Sequence, residues 1–433
     1  MRFLIIFFIF LFFTKGYAND MELSGIDISQ FNEEFKPQDD FYDYVNHNWL
    51  SKTEIPDDQI GWGSYMTLRE ESLQNQNILI NALIKNKDNL IASSEEEKIA
   101  NLYLSYTNRD LVNKLGSLPL SDDIEAIKNI KNKTDLWKYF SESEKKGMSS
   151  PIYFAVYDDL KDPLNYTIYF GQSGLGLPDR DYYLLDQPHY IKGREEYPIH
   201  LSNLFDLSGL DNANERASNA FDVETELAKI QISRTERRDP EKTYNPMNVN
   251  DLDAISNSNF NLWLKNLAIE SYDRYIIESP KYLEDLSNLI DEIPIDQWKD
   301  YLLARLVKSA SGSLSDDFVD ESYRFSSILT GREEMPALWK RSVGIVNGLL
   351  GDALGKIYVK NHFPPEYKQR MVELIDNLLE SFRIGIEDLE WMSEETKKRA
   401  LIKLEKLNVK IGYPEVWKDY NGLEFSDNDL YGN

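Results

Sequence analysis

Residues 363–414 read FPPEYKQRMVELIDNLLESFRIGIEDLEWMSEETKKRALIKLEKLNVKIGYP, and their periodicity decides the fold class. Proline can occupy the first helical turn without losing a hydrogen bond, so Phe363-Pro364-Pro365 marks a helix start. Beyond it Val372, Ile375, Leu378, Leu379, Phe382, Ile386 and Leu389 recur at three- and four-residue steps, which places them on one face of a long amphipathic helix. Ser393 follows as an N-cap, with Glu394 and Glu395 against the positive end of the next helix dipole. That second helix is expected to carry Ala400, Leu401, Leu404 and Leu407 inward, and Gly412 with Pro414 ends the region. Two helices so joined make an αα-hairpin.

Working outward, most of the chain reads as helix, and the predicted fold class is mainly α. No internal repeat of fixed period and no Gly/Ser- or Pro-rich linker divides it. The exception is a short β-hairpin near 152–170: Ile152 to Tyr157 and Asn165 to Phe170 are β-rich runs separated by Asp158, Asp159, Asp162 and Pro163. The stretch Gly171-Gln172-Ser173-Gly174-Leu175-Gly176-Leu177-Pro178 follows. With no Lys-Ser/Thr after it, it reads as a turn needing positive φ or close backbone approach rather than a phosphate loop.

The 433 residues are 42% hydrophobic and 28% charged, enough for one large or two medium cores. The start has the form of a secretory signal peptide over residues 1–18: Met1-Arg2, an apolar run from Phe3 to Phe13, and Gly16-Tyr17-Ala18 before Asn19. The run is too short to span a bilayer comfortably, so cleavage after Ala18 and no stable membrane span afterwards are expected; the alternative is an uncleaved membrane anchor, and export is implied in both cases. The formal charge of −26 becomes −28 once Arg2 and Lys15 leave, with 46 basic against 74 acidic residues. Such a surface repels phosphate backbones and anionic lipid, which excludes nucleic acid as a partner and keeps an exported protein soluble. There is no cysteine, so thiol catalysis, thiolate metal sites and disulfides are excluded. The bias towards Lys, Asn, Ile and Asp suits a bacterial periplasmic protein.

A zinc peptidase of the common helical type needs two His four residues apart with a Glu between them. The four histidines, His47, His189, His200 and His362, include no pair three, four or five apart; His47 and His362 read as surface or packing residues, and His189 and His200 could meet only by folding, which no nearby pattern asks for. There is no Gly-x-Ser-x-Gly elbow; Gln172-Ser173-Gly174 lacks the helix start that should follow. The adjacent acids Asp39-Asp40, Glu70-Glu71 and Asp158-Asp159 are expected as solvated surface in so acidic a chain. No catalytic residue, substrate contact or metal ligand emerges from residue chemistry.

Ordered blocks across nearly the whole chain carry a family resemblance. Gly25-Ile26-Asp27, Pro37-Gln38-Asp39-Asp40-Phe41-Tyr42-Asp43-Tyr44-Val45-Asn46, Trp49-Leu50, Thr53, Ile55-Pro56-Asp57 and Trp62-Gly63 come first. Then come Gly174-Leu175-Gly176-Leu177-Pro178-Asp179-Arg180-Asp181-Tyr182-Tyr183 and Tyr244-Asn245 after Arg237-Arg238. Trp391-Met392, Thr396-Lys397, Ala400, Lys403-Leu404 and Lys410-Ile411-Gly412-Tyr413-Pro414 close the series. Together they resemble the neprilysin, endothelin-converting enzyme and bacterial PepO zinc metalloendopeptidases. Where that family usually has Gly after Tyr-Val-Asn, this chain has His47; where the animal enzymes have an Arg that helps read a substrate carboxylate, it has Gly61, which takes no binding role. The aromatics Trp49, Trp62, Tyr182, Tyr183 and Trp391 are expected in packing rather than on substrate.

The resemblance implies the large helical lobe of a two-lobed gluzincin metallopeptidase that hydrolyses short peptides. Residues 19–75 would pack on the catalytic lobe, 76–360 would form the substrate-restricting lobe, and 361–433 would lead towards the catalytic lobe. The zinc motif, the substrate-backbone motif and the acid–base residues correspond to positions after Asn433, so zinc is expected in the complete enzyme and none in this chain. Three readings stay open: a truncated or incomplete metalloendopeptidase, one half of a split peptidase with a separate catalytic half, and a non-catalytic peptide-binding or scaffolding lobe. An unrelated helical solute-binding protein would require the ordered blocks to be coincidence.

Overall fold

The computed structural model describes residues 26–148, 150–255 and 259–433. The expected signal peptide and its cut after Ala18 lie outside the described residues, as does Gly25. Nineteen α-helices and four short strands are described, so the chain is mainly α, as expected. Among them no helix is long and apolar enough to cross a membrane. The chain divides at Met66/Thr67 into two units.

In the first unit, carboxylates organise the turns. Asp27 caps the 3₁₀ turn Ile28–Gln30, and Asp40 caps helix Phe41–Leu50 by accepting from the Asp43 amide at 2.9 Å. Asp40 is thus a helix cap rather than free surface charge. Phe31 packs on Tyr44 and Phe35 on the His47 ring, but no residue of the helix is buried.

The second unit holds the core. Helices Pro188–Leu207, Ala213–Ile230 and Ile295–Ala310 pack together, joined by Lys133–Lys145, Pro280–Glu292 and Asp316–Thr330. Apolar residues at helical spacing meet between them, among them Trp137, Phe140, Leu201, Phe205, Leu227, Trp298 and Phe318, all essentially inaccessible. Edge-to-face rings knit the centre: Trp137 on Phe140, Phe140 on Trp298, and Phe170 on Phe260 and Trp263.

The expected hairpin is present as antiparallel strands Ile152–Asp159 and Asp162–Gln172. It belongs to a larger mixed sheet in which Tyr275–Ile277 runs parallel to the second hairpin strand and Asn245–Met247 is antiparallel to Tyr275–Ile277. Three residues are too few for alternation to register, which is why these strands escape sequence reading. Asp159 corrects the expectation of solvated acids: it is 0% exposed, accepts from the Tyr244 hydroxyl at 2.7 Å and pairs with Arg274. Glu70 is likewise engaged, 2.9 Å from Lys340.

A second cluster unites helices Ser64–Lys85, Glu95–Thr107 and Leu338–His362 through Ile80, Ile99, Leu102, Val343, Val346 and Leu354. Leu338–His362 bends at Leu350, whose φ of −124° and ψ of 31° are non-helical. The Lys98 ammonium donates to the Tyr420 carbonyl at 2.8 Å and fixes the C-terminal strap to this cluster.

The hairpin at 365–405 forms as read, with Pro365 at the first position of helix Pro365–Asp388 and Ser393 capping helix Glu394–Glu405. Its burial differs from expectation. Neither helix contains a buried residue. Val372, Ile375, Leu379, Ile386 and Leu389 are half-covered, while Leu378 and Phe382 of the same predicted face are exposed, as are Leu374, Leu407 and Trp391. An apolar stripe roughly 100° wide or more is broader than one neighbouring helix covers, so the hairpin uses one edge of its face and leaves the other in solvent.

Candidate functional site

Two features of the second unit have the density of chemistry that a functional site requires. The first surrounds the glycine-rich stretch after strand Asp162–Gln172. Gly174 has φ +90°, and a side chain there would run into Tyr301 and the Pro151 backbone. Its carbonyl accepts from the Tyr301 hydroxyl at 2.9 Å. Gly176 offers its amide to the Glu224 carboxylate at 2.8 Å and to the Tyr183 hydroxyl at 3.1 Å.

Glu224, from helix Ala213–Ile230, is 0% exposed. It also accepts from the Tyr197 hydroxyl at 3.0 Å and from Tyr183. Burial first, and then the charge of Glu224, push both phenols well above their ordinary pKa, so they remain protonated donors. Arg305 ties the same loop by donating to the Leu175 carbonyl at 3.0 Å. Arg180 reaches the Gln231 carbonyl at 2.6 Å, and Asp179 receives the Asp181 amide at 2.9 Å. The block Gly174–Tyr183 is therefore a latch joining sheet, loop and helices. The hydroxyls, amides and carboxylate at its centre are consumed by one another, which leaves them a structural role and no proton to transfer.

Tyr183 is buried and Tyr182 partly so, as expected of packing aromatics, and in the first unit Trp49 and Trp62 are also partly covered. Trp391 is the correction: at 78% exposed it packs into no core.

The histidines are dispersed. His47 lies 3.7 Å from Asp43 at the surface of the first unit. His189 sits against Tyr190, and His362 against Tyr358. His200 is buried, stacked on Phe325 with ring centroids 4.5 Å apart, its Nδ1 at 2.8 Å from Glu321. Sequence spacing gave no sign of the His200–Glu321 pair, because its members come from helices far apart in the chain. Among the described residues no three His, Asp or Glu side chains are grouped to hold a metal. A catalytic zinc takes three protein ligands, and these side chains do not fit it.

The second feature is the uncovered edge of the hairpin, where Leu374, Leu378 and Phe382 follow one another at four-residue steps with exposures of 49%, 47% and 62%. Arg383 beside them bridges Glu380 and Glu387 at 2.5 and 2.7 Å. An apolar stripe rimmed by charge is the form of a protein-docking surface.

Comparison with known proteins places these features in a family. Residues 37–414 match the N-terminal domain model of peptidase family M13. The chain is 29% identical over 413 residues to a neutral endopeptidase of Lactobacillus helveticus, covering 94% of this chain and 63% of that protein. It is 28% identical over 418 residues to endothelin-converting enzyme 1 of Homo sapiens, covering 93% of this chain and 53% of that one. The crystal structure of Mycobacterium tuberculosis zinc metalloprotease Zmp1 in complex with an inhibitor superimposes with a TM-score of 0.88 at 31% identity, over 94% of this chain and 62% of that chain. PepO from Lactobacillus rhamnosis has the same fold, with a TM-score of 0.78 at 20% identity over 92% of this chain and 63% of that chain. The chain thus spans about half to two thirds of the length of these relatives.

Proposed function

The chain belongs to peptidase family M13, and from that premise we propose that it is the N-terminal portion of an exported zinc metalloendopeptidase acting on short peptides. Residues 76–360 supply the lobe that restricts access to the catalytic centre. Residues 19–75 pack on, and residues 361–433 lead towards, a zinc-bearing catalytic half that this chain does not itself provide. The signal-like start at 1–18 supports export, to the periplasm or outside the cell.

The observation that carries this reading is the stripe Leu374, Leu378 and Phe382: a helix with a strongly apolar face that buries no residue. The chain spans only part of its relatives' length. The names of those relatives, a neutral endopeptidase and a zinc metalloprotease, supply the reaction class. A quenched fluorescent peptide of about ten residues, a length suited to a restricted entrance, tests the proposal. Hydrolysis is expected only when the chain is joined to, or mixed with, a zinc-binding half, and it should weaken when Phe382 becomes Asp. Hydrolysis by the chain alone would overturn it.

A further inference from the structure

A cavity of about 470 Å³ opens between helices Pro188–Leu207, Ile295–Ala310 and Asp316–Thr330, with Gly176-Leu177-Pro178 on one wall. Its lining includes Lys308, His200, Leu177, Phe325, Leu329 and Ser326. Most charged side chains around it are already paired: Glu321 is held by His200, Arg324 and Asn203. Lys308 is different. It is only partly exposed, and among the described residues its ammonium makes no close ion pair or hydrogen bond, the Glu224 carboxylate acting on it only through its charge. Burial, together with the charge of Arg305, lowers its pKa against the opposing pull of Glu224, as expected for a cation in want of a counter-ion.

His200 supplies an independent observation. It is 2% exposed, and its Nδ1 is engaged by Glu321 while Nε2 has no protein partner among the described residues. Burial outweighs the influence of Glu321 and, with the nearby charges of Lys308 and Arg324, lowers its pKa. The ring is therefore neutral near pH 7. With Nδ1–H given to the Glu321 carboxylate, Nε2 carries the lone pair and can only accept.

We propose that this cavity binds an apolar amino acid through its free carboxylate and the adjacent acylated N–H, the chemistry shared by an N-acyl amino acid and the C-terminal residue of a peptide. Lys308 receives the carboxylate, His200 Nε2 accepts the N–H, and the apolar side chain lies against Leu177, Phe325 and Leu329. One ammonium matches one negative charge. A phosphate dianion would remain half uncompensated, in a chain whose net charge is already −26. The volume suits a ligand of this size. The inference does not depend on the peptidase reading.

Calorimetric titration of the whole chain with N-acetyl-L-leucine tests it. We expect saturable binding, weakened about tenfold or more for both N-acetyl-L-leucinamide, which lacks the charge, and 4-methylpentanoate, which lacks the N–H. Lys308→Met should lose about tenfold in affinity without lowering the melting temperature, since it removes an unpaired, partly buried cation. Ser326→Trp, at an exposed position of the lining, blocks the cavity without disturbing the core and should abolish binding. Gly-Gly-Leu binding as tightly as N-acetyl-L-leucine assigns the site to peptide C-termini; its failure alongside N-acetyl-L-leucine binding assigns it to free acyl amino acids. No saturable heat at about 10 mM N-acetyl-L-leucine, unchanged affinity in Lys308→Met, or equal binding of inorganic phosphate would each overturn the proposal.

Discussion

The Glu224 carboxylate and the Tyr197 hydroxyl lie 3.0 Å apart with both residues wholly out of reach of solvent. Each satisfies the other, and Tyr183 and the Gly176 amide complete the shell around the same carboxylate. Removing the acceptor strands the Tyr183 and Tyr197 hydroxyls at once and leaves the Gly176 amide only its longer bond to Tyr183. Glu224→Ala should therefore cost about 3–5 kcal/mol of stability, whereas Tyr197→Phe should cost about 1–1.5 kcal/mol. Urea denaturation of the two variants checks the ranking; equal or negligible losses would contradict the latch.

Glycine substitutions should separate by position. An alanine at 176 would place its Cβ against the Tyr197 hydroxyl and Glu224 and should destabilise by about 1–3 kcal/mol. Gly344, on the exposed side of helix Leu338–His362, has open space around it, so Gly344→Ala should stabilise by about 0.5–1 kcal/mol. Thermal melts of both proteins show the opposite signs directly.

Acid should unfold the second unit in a defined order. Burial raises the Glu321 carboxyl, but hydrogen bonds from His200, Arg324 and Asn203 outweigh it and hold the pKa at about 2 against an ordinary 4.5. A carboxyl depressed on folding stabilises above its unfolded pKa, and that contribution is lost as pH falls from about 4.5 towards 2. Its size is about 3 kcal/mol. His200, also depressed, acts first: the unfolded ring binds a proton below pH 6.5 while the folded ring resists it, so stability already declines there. Glu321→Gln should flatten the loss of stability between about pH 4.5 and 3; an unchanged slope would show that other groups control it.

At the hairpin, Phe382→Asp and Leu378→Asp should leave the isolated chain within about 0.5 kcal/mol of its original stability, because both side chains are exposed. The same changes should reduce binding of a hydrophobic dye and weaken association with a catalytic half. A large loss of stability in the isolated chain would mean that the stripe is already covered.

Much of this was legible in the sequence. Proline at 365, the Ser393 cap and the three- and four-residue steps define the hairpin, because caps and periodicity are local properties. The strand pair near 152–170 is visible for the same reason. What the pattern could not supply is which edge of an apolar face finds a partner: Leu378 and Leu379 read alike, yet one is exposed and the other half-covered. The short strands Asn245–Met247 and Tyr275–Ile277 carry no period, and Asp159 reads as surface until Tyr244 and Arg274 close over it. His200–Glu321 and Lys308 are products of helix packing alone. Nothing local marks them.

The most direct measurement is zinc content, taken together with peptide hydrolysis, for the 433-residue chain alone and for a longer protein in which it is joined to the zinc-binding half of an M13 relative. The account predicts essentially no zinc and no hydrolysis for the chain alone, and about one zinc per molecule with chelator-sensitive hydrolysis for the longer protein. Tight stoichiometric zinc on the chain alone, or a longer protein with neither zinc nor activity, would contradict it.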